Sequence, residues 1–138
     1  MRLKIVLDTN AIISALGRKS PYKIVINQLI ANKYDIFITT DILLEYEEKI
    51  TELRSLSIAN TFLDLLAILP NVHQTTSYYR FLLIAQDADD DKFADCAIAQ
   101  STHFLVTDDR HYRVLINLGF PKVNLLKIKD FSELLESL

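Results

Sequence analysis

The sequence predicts an α/β fold, a three-layer sandwich in which a mainly parallel central sheet is flanked by helices. Short apolar runs, among them Lys4-Ile5-Val6-Leu7 and Phe104-Leu105-Val106-Thr107, alternate along the chain with segments of helical period. Strand following helix following strand is the pattern of a parallel sheet covered on both faces. Acidic residues then fall just after several of the apolar runs, where the ligands of such sheets gather, outside the carboxyl ends of the strands.

The elements follow in order. Lys4 to Leu7 is rich in β-branched residues and is stopped by Asp8-Thr9-Asn10, which favour turns and caps. Ala11 to Leu16 is predicted helical, and Ser20-Pro21 reads as an N-cap with proline at the first position of a helix over Tyr22 to Asn32. Asp35 to Thr39 is the second strand. Thr40-Asp41 would cap the next helix, which carries Ile42, Leu43, Glu45, Tyr46 and Ile50 and so places Glu45 about one turn in. Ser57 to Leu69 has an amphipathic stripe through Ile58, Phe62, Leu65 and Leu66, and Pro70 ends it. Between Asn71 and Ala85 the run Phe81-Leu82-Leu83-Ile84 is too short for periodicity to choose between strand and helix. Lys92 to Gln100 is helical, Phe104 to Thr107 a strand, and Tyr112 to Leu118 a helix with Gly119 suited to a left-handed cap. Val123 to Ile128 makes the last strand, and Asp130 caps a final helix striped by Phe131, Leu134, Leu135 and Leu138.

A chain of 138 residues, half of them hydrophobic and with few Gly and Pro, is expected to be one domain over residues 1–138 rather than a disordered or loop-rich polypeptide. No apolar run is long enough to span a bilayer and the first strand begins at once, so a cytoplasmic protein is expected. The lone Cys96 has no partner for a disulfide and reads as a small core residue. A net charge of −3 speaks against a nucleic-acid partner only if the acid is spread evenly. Here much of it is gathered between Asp87 and Asp109, whereas Arg18, Lys19, Lys23, Arg110 and Arg113 lie in or near segments after strand ends. Bound cations would invert the local field.

Asp8 follows the first strand, Glu45 lies early in the helix after the second, Asp90 opens a helix, and Asp109 follows the Phe104 strand. Carboxylates gathered at one end of a sheet repel one another unless a cation neutralises them or some stay protonated. With no His or Cys ligand in the pattern, the all-oxygen set suits a hard cation, Mg²⁺ or Mn²⁺. Such an ion supports phosphodiester hydrolysis.

These residues resemble the PIN-domain family of metal-dependent nucleases over nearly the whole chain. The likeness is carried by Asp8-Thr9-Asn10, Glu45-Tyr46, the run Asp87-Ala88-Asp89-Asp90-Asp91-Lys92-Phe93, and Val106-Thr107-Asp108-Asp109-Arg110-His111-Tyr112. The resemblance, nearest to the VapC-like toxins of bacterial toxin-antitoxin modules, implies a Mg²⁺- or Mn²⁺-dependent ribonuclease acting on RNA, a small antitoxin partner and a homodimer. It also implies an acidic tetrad of Asp8, Glu45, Asp90 and Asp109. Asp91 is the next candidate for the third acid, since the run allows either register. Asp90 is preferred because Phe93, Ala94, Ala97 and Ile98 then form the packing stripe of the helix. Asp95, one turn on from Asp91, is placed to touch the cluster or its waters.

Thr9, Asn10 and Thr107 are expected to hydrogen-bond the acids or metal-bound waters, with capping and strand-end roles as the ordinary alternatives. Asp41, Asp64 and Asp130 read as structural, Asp87 and Asp89 as solvated, and His73 and His103 as surface or loop residues. Tyr78-Tyr79 could stack on bases, although packing suits the pair better. Two rival functions stand beside the nuclease. One is a non-catalytic PIN scaffold binding RNA or a protein. The other is a phosphoacceptor receiver domain, which would need an acid pair after the first strand, where Asp8 is alone.

Overall fold

The computed structural model describes residues 2–76, 91–115 and 122–138. In order they form β1 (Lys4–Leu7), α1 (Thr9–Leu16), α2 (Lys23–Ile30), β2 (Asp35–Ile38), α3 (Thr40–Leu53), α4 (Leu56–Ile68), β3 (Val72–Gln74), α5 (Asp91–Ala99), β4 (Phe104–Val106), a 3-10 helix (Arg110–Leu115), β5 (Leu125–Leu126) and α6 (Ile128–Glu136). The Phe81 to Ile84 run, Tyr78-Tyr79, Asp87, Asp89, Asp90 and Gly119 lie outside the described residues.

The strands form one parallel sheet in the order β3-β2-β1-β4-β5. Ile5, Val6 and Leu7 are completely buried, as a central strand covered on both faces requires. Each such side chain contributes on the order of 1.5–3 kcal/mol by leaving water. Helix α5 lies across β1, β2 and β4, while α2 packs on α1 and α6, with Tyr34 and Phe131 meeting edge to face at 5.2 Å. The three-layer α/β architecture is the one the sequence predicts.

The chain runs β1, β2, β3 toward one edge and then crosses back to place β4 on the other side of β1. That reversal opens a crevice beyond the carboxyl ends of β1 and β4, where α/β proteins bind ligands. The order also disposes of the receiver domain, whose sheet runs 2-1-3-4-5.

Several element ends differ from the sequence prediction. Thr39, not Thr40-Asp41, caps α3: its side chain accepts the Ile42 N–H at 3.3 Å. Ser20 does not cap a helix at Pro21. Its hydroxyl oxygen accepts the Tyr22 N–H at 3.0 Å in a local turn, and α2 starts at Lys23. Asn32, beyond the end of α2, takes the left-handed conformation at φ 61°, which asparagine tolerates. The predicted helix over Tyr112 to Leu118 begins earlier, as the 3-10 turn at Arg110. The last strand shrinks to Leu125–Leu126 because Ile128 already opens α6. Asp130 lies in the first turn of α6 without capping it; the Ile128 N–H is instead taken by Asp108 Oδ1 at 3.0 Å. A carboxylate brought from 20 residues away serves that helix end, an arrangement invisible to local pattern.

At the amino end of the sheet, Asp35 opens β2 in register with Lys4. Arg2 Nε donates to Asp35 Oδ2 at 2.7 Å, and His73 Nε2 lies 3.0 Å from Oδ1. His73 is therefore a strand residue engaged with Asp35 and stacked on Phe37 at 4.9 Å, at the surface as expected but not in a loop. His103 is tied in too, its Nδ1 accepting the Lys4 N–H at 2.8 Å.

Candidate active site

Asp8 follows β1 directly at the crevice. It occupies the N-cap position of α1 yet makes no capping bond with its side chain. The side chain is directed elsewhere: Asp8 Oδ2 accepts the Thr107 hydroxyl at 2.7 Å. The Asp8 N–H donates to the Val106 carbonyl at 3.0 Å, so the ends of β1 and β4 are joined beside the acid.

Thr107 connects two acids. While its hydroxyl donates to Asp8, its oxygen accepts the Asp109 N–H at 3.0 Å. One side chain thereby fixes the carboxylate after β1 relative to the backbone that carries the carboxylate after β4. Asp109 Oδ1 in turn accepts the His111 N–H at 2.9 Å, opening the 3-10 helix.

Glu45 reaches the same place from α3. Its neighbour Tyr46 is fully buried, packs against Phe62 and Phe93, and donates its hydroxyl to the Leu7 carbonyl at 2.6 Å. Leu7 is the last residue of β1, so this bond pins α3 next to Asp8 and brings Glu45 with it. Glu45 Oε2 accepts the Thr9 hydroxyl, and Glu45 Oε1 lies 3.0 Å from Lys92 Nζ at the start of α5. Tyr46 was legible as part of the Glu45-Tyr46 pair. The sequence pattern does not single out Lys92 as a contact of the acids, although its place right after the acidic run is a signal.

The electrostatics follow from burial and charge. Asp8 is only 4% exposed. Burial pushes its carboxyl up from 3.8 to about 6; the Thr107 hydroxyl and the Thr9 N–H oppose this, and the charges of Glu45 and Asp109 add to it. Those last effects place Glu45 and Asp109 within electrostatic reach of Asp8.

Of the other expected site residues, Asp91 is the first residue of α5, and Asp95 lies one turn along the same helix, 5% exposed. Asn10 is exposed on the first turn of α1. Cys96 is fully buried, as expected of a core residue. Among the described residues no three Asp, Glu, His or Cys side chains are already drawn to metal-holding spacing. Glu45 is turned to Lys92 and Thr9, and Asp109 to His111. What the described residues offer is an all-carboxylate donor set with too little positive charge, which fits a hard divalent cation.

Compared with known proteins, residues 4–111 match the family model described as PIN domain. The matched span takes in Asp8, Glu45, the acidic run and Asp109. No curated protein matches the sequence. The crystal structure of VapBC2 from Rickettsia felis bound to a DNA fragment from their promoter contains a chain with a TM-score of 0.62 and 18% identity, covering 91% of this chain and 98% of that one. At that identity the likeness is one of fold.

Proposed function

From the premise that this chain belongs to the PIN domain family, we propose that it is a divalent-metal-dependent endoribonuclease and the toxin of a toxin-antitoxin pair. The observation that carries the activity is the buried Asp8 at the β1–β4 crevice, tied through Thr107 to Asp109 and crowded by Glu45. A buried acid surrounded by other acids is held at a cost to the fold, and perturbed carboxyls in a crevice mark candidate functional sites.

Asp8, Glu45, Asp90 and Asp109 would hold Mg²⁺ or Mn²⁺, with Asp91 and Asp95, both in the α5 sequence, as further candidates. When bound, such an ion supplies Lewis acidity for activating water and positive charge to offset that developing on a cleaved phosphodiester. The protein's own contribution is positioning. Thr107 orients Asp8 and the Asp109 backbone, Thr9 orients Glu45, and the Tyr46–Leu7 bond keeps α3 against the end of β1. Burial of Asp8 keeps water from screening its charge. His103 is given no part as a base, since its Nδ1 accepts the Lys4 N–H at the amino end of the sheet.

The proposed partners are an RNA substrate, a small antitoxin and a second copy of the chain. The antitoxin is supported by the fold neighbour, which was solved as VapBC2. The test is incubation of the purified protein with single-stranded and structured RNAs, with and without Mg²⁺ or Mn²⁺, beside Asp8→Asn. Cleavage that needs the metal and is lost in the variant is expected. Equal cleavage by parent and variant would overturn the role of Asp8, and no cleavage of any RNA in metal would favour a non-catalytic PIN scaffold. Growth arrest on expression tests the toxin role separately.

A further inference from the structure

Lys92 is the second residue of α5, and its ammonium lies 3.0 Å from Glu45 Oε1, with the two side chains 21% and 16% exposed. This is not a solvated surface pair, in which high dielectric and side-chain entropy cancel most of the attraction. With both groups largely shielded from water, the Coulomb attraction between them is stronger than in an exposed pair. Glu45's other oxygen is taken by the Thr9 hydroxyl, so both oxygens of this carboxylate have partners. Among the described residues no other Lys or Arg is ion-paired with Asp8, Glu45 or Asp109. Among the described residues, Lys92 is thus the lysine or arginine that the crevice sets against its acids, on the one that arrives from α3.

Building on the metal-dependent nuclease proposed above, we infer that Lys92 is a counter-cation built into the site, which competes with the divalent ion for Glu45 and so lowers the affinity of the site for metal. Three features support this. Lysine carries a compact point charge on a flexible stem, which can swing aside when a stronger cation arrives. Its partner is one of the acids a metal would use. Its charge also acts through little water, so a second cation nearby is repelled. A merely structural ion pair predicts the opposite effect on its removal: Glu45 would be loosened and metal binding weakened.

The test is Mn²⁺ binding to the full chain, followed by electron paramagnetic resonance or calorimetry without RNA, for the parent, Lys92→Met, Lys92→Gln and Lys92→Arg. Gln keeps a hydrogen-bond donor without the charge, and Arg keeps the charge. Met and Gln should bind Mn²⁺ about tenfold more tightly, the size of effect one unit charge has on a neighbour within 4–6 Å, and Arg should match the parent. Met and Gln variants that bind no more tightly than the parent would overturn the inference, as would an Arg variant that gains affinity like them. If both neutral variants fail to show a native circular dichroism spectrum, Lys92 is a folding residue and the inference falls. Absence of Mn²⁺ binding by the parent as well would instead remove the metal-dependent function on which the inference rests.

Discussion

Asp35 and Asp8 occupy opposite ends of one sheet, and their surroundings are opposite in charge. At the amino end, Asp35 is bonded by Arg2 and lies against His73. Burial alone would raise its carboxyl, but the bonds and charges of Arg2 and His73 prevail and hold it below 3.8. At the carboxyl end, Asp8 is more deeply buried and has carboxylates for neighbours, so its carboxyl is raised to about 6. The same residue type therefore serves as a staple where it is bonded by Arg2 and His73, and, on Asp8, as a buried charge whose neighbours among the described residues are carboxylates rather than cations. Ordinary folding physics removes the second situation unless something else compensates for it. The difference supports the proposal that a cation from outside acts at the acidic end.

The sharpest way to break this comparison is to neutralise Asp8. Asp8→Asn should reduce RNA cleavage by on the order of a thousandfold or more, because on the proposed mechanism it removes a ligand of the ion that would supply most of the electrostatic stabilisation. The same change should make the metal-free protein more stable. In the folded chain Asp8 binds its proton more tightly than in the unfolded chain. Relative to a neutral side chain, it therefore costs nothing below 3.8 and progressively destabilises as the pH rises through about 6. Urea unfolding at pH 8 without metal should give the variant an advantage of up to about 3 kcal/mol, shrinking to nothing near pH 3. A less stable variant at pH 8 would show that the acid is satisfied within the fold.

Thr107→Val comes next. It removes the hydroxyl that donates to Asp8 and accepts from Asp109. Cleavage should fall roughly 10- to 100-fold, the usual cost of losing a group that orients a metal ligand, with about 1–3 kcal/mol of stability lost from the unpaired groups left behind. Cleavage at the parental rate would place the ordering of Asp8 elsewhere.

The smallest effect is expected at the opposite end. Asp35→Asn should leave cleavage unchanged and cost no more than about 1 kcal/mol at pH 7, as partly exposed ion pairs do. Because the folded pKa of Asp35 is depressed, its contribution is present above the unfolded pKa and disappears as the pH falls through the folded one. Parent and variant should therefore converge in stability as the pH falls below the folded pKa of Asp35. A change in cleavage here would mean that the two ends are coupled through β1 and β2.

The same two ends show what could be read from the chain. Asp8, Glu45 and Asp109 could be placed at one end of the sheet because each follows a strand or a helix start of clear pattern, and the strand order then gathers those ends. The register of the acidic run was not decided by pattern, and Asp90 lies outside the described residues. What the sequence concealed were contacts made across long separations. Lys92 meets Glu45, Asp108 caps α6, and Arg2 and His73 close on Asp35. Each joins residues whose distance along the chain carries no periodic signal, so only the folded arrangement reveals them. Helix ends were misplaced for a similar reason: a tertiary partner or a local turn, not the nearest capping residue, set where α2 and α6 begin.

Lys92 offsets only part of the carboxylate charge at the acidic end of the sheet, and a divalent cation is expected to supply the rest. Thermal unfolding of the parent and of Asp8→Asn at pH 8, each with and without millimolar Mn²⁺, tests it without any RNA. Mn²⁺ at a hundredfold excess over its Kd stabilises a site that only the folded protein possesses by about 2.7 kcal/mol. The parent should then melt several degrees higher with the metal, while the variant, already relieved of its charge, hardly moves. A parent indifferent to Mn²⁺, or a variant that gains as much as the parent, would contradict the account.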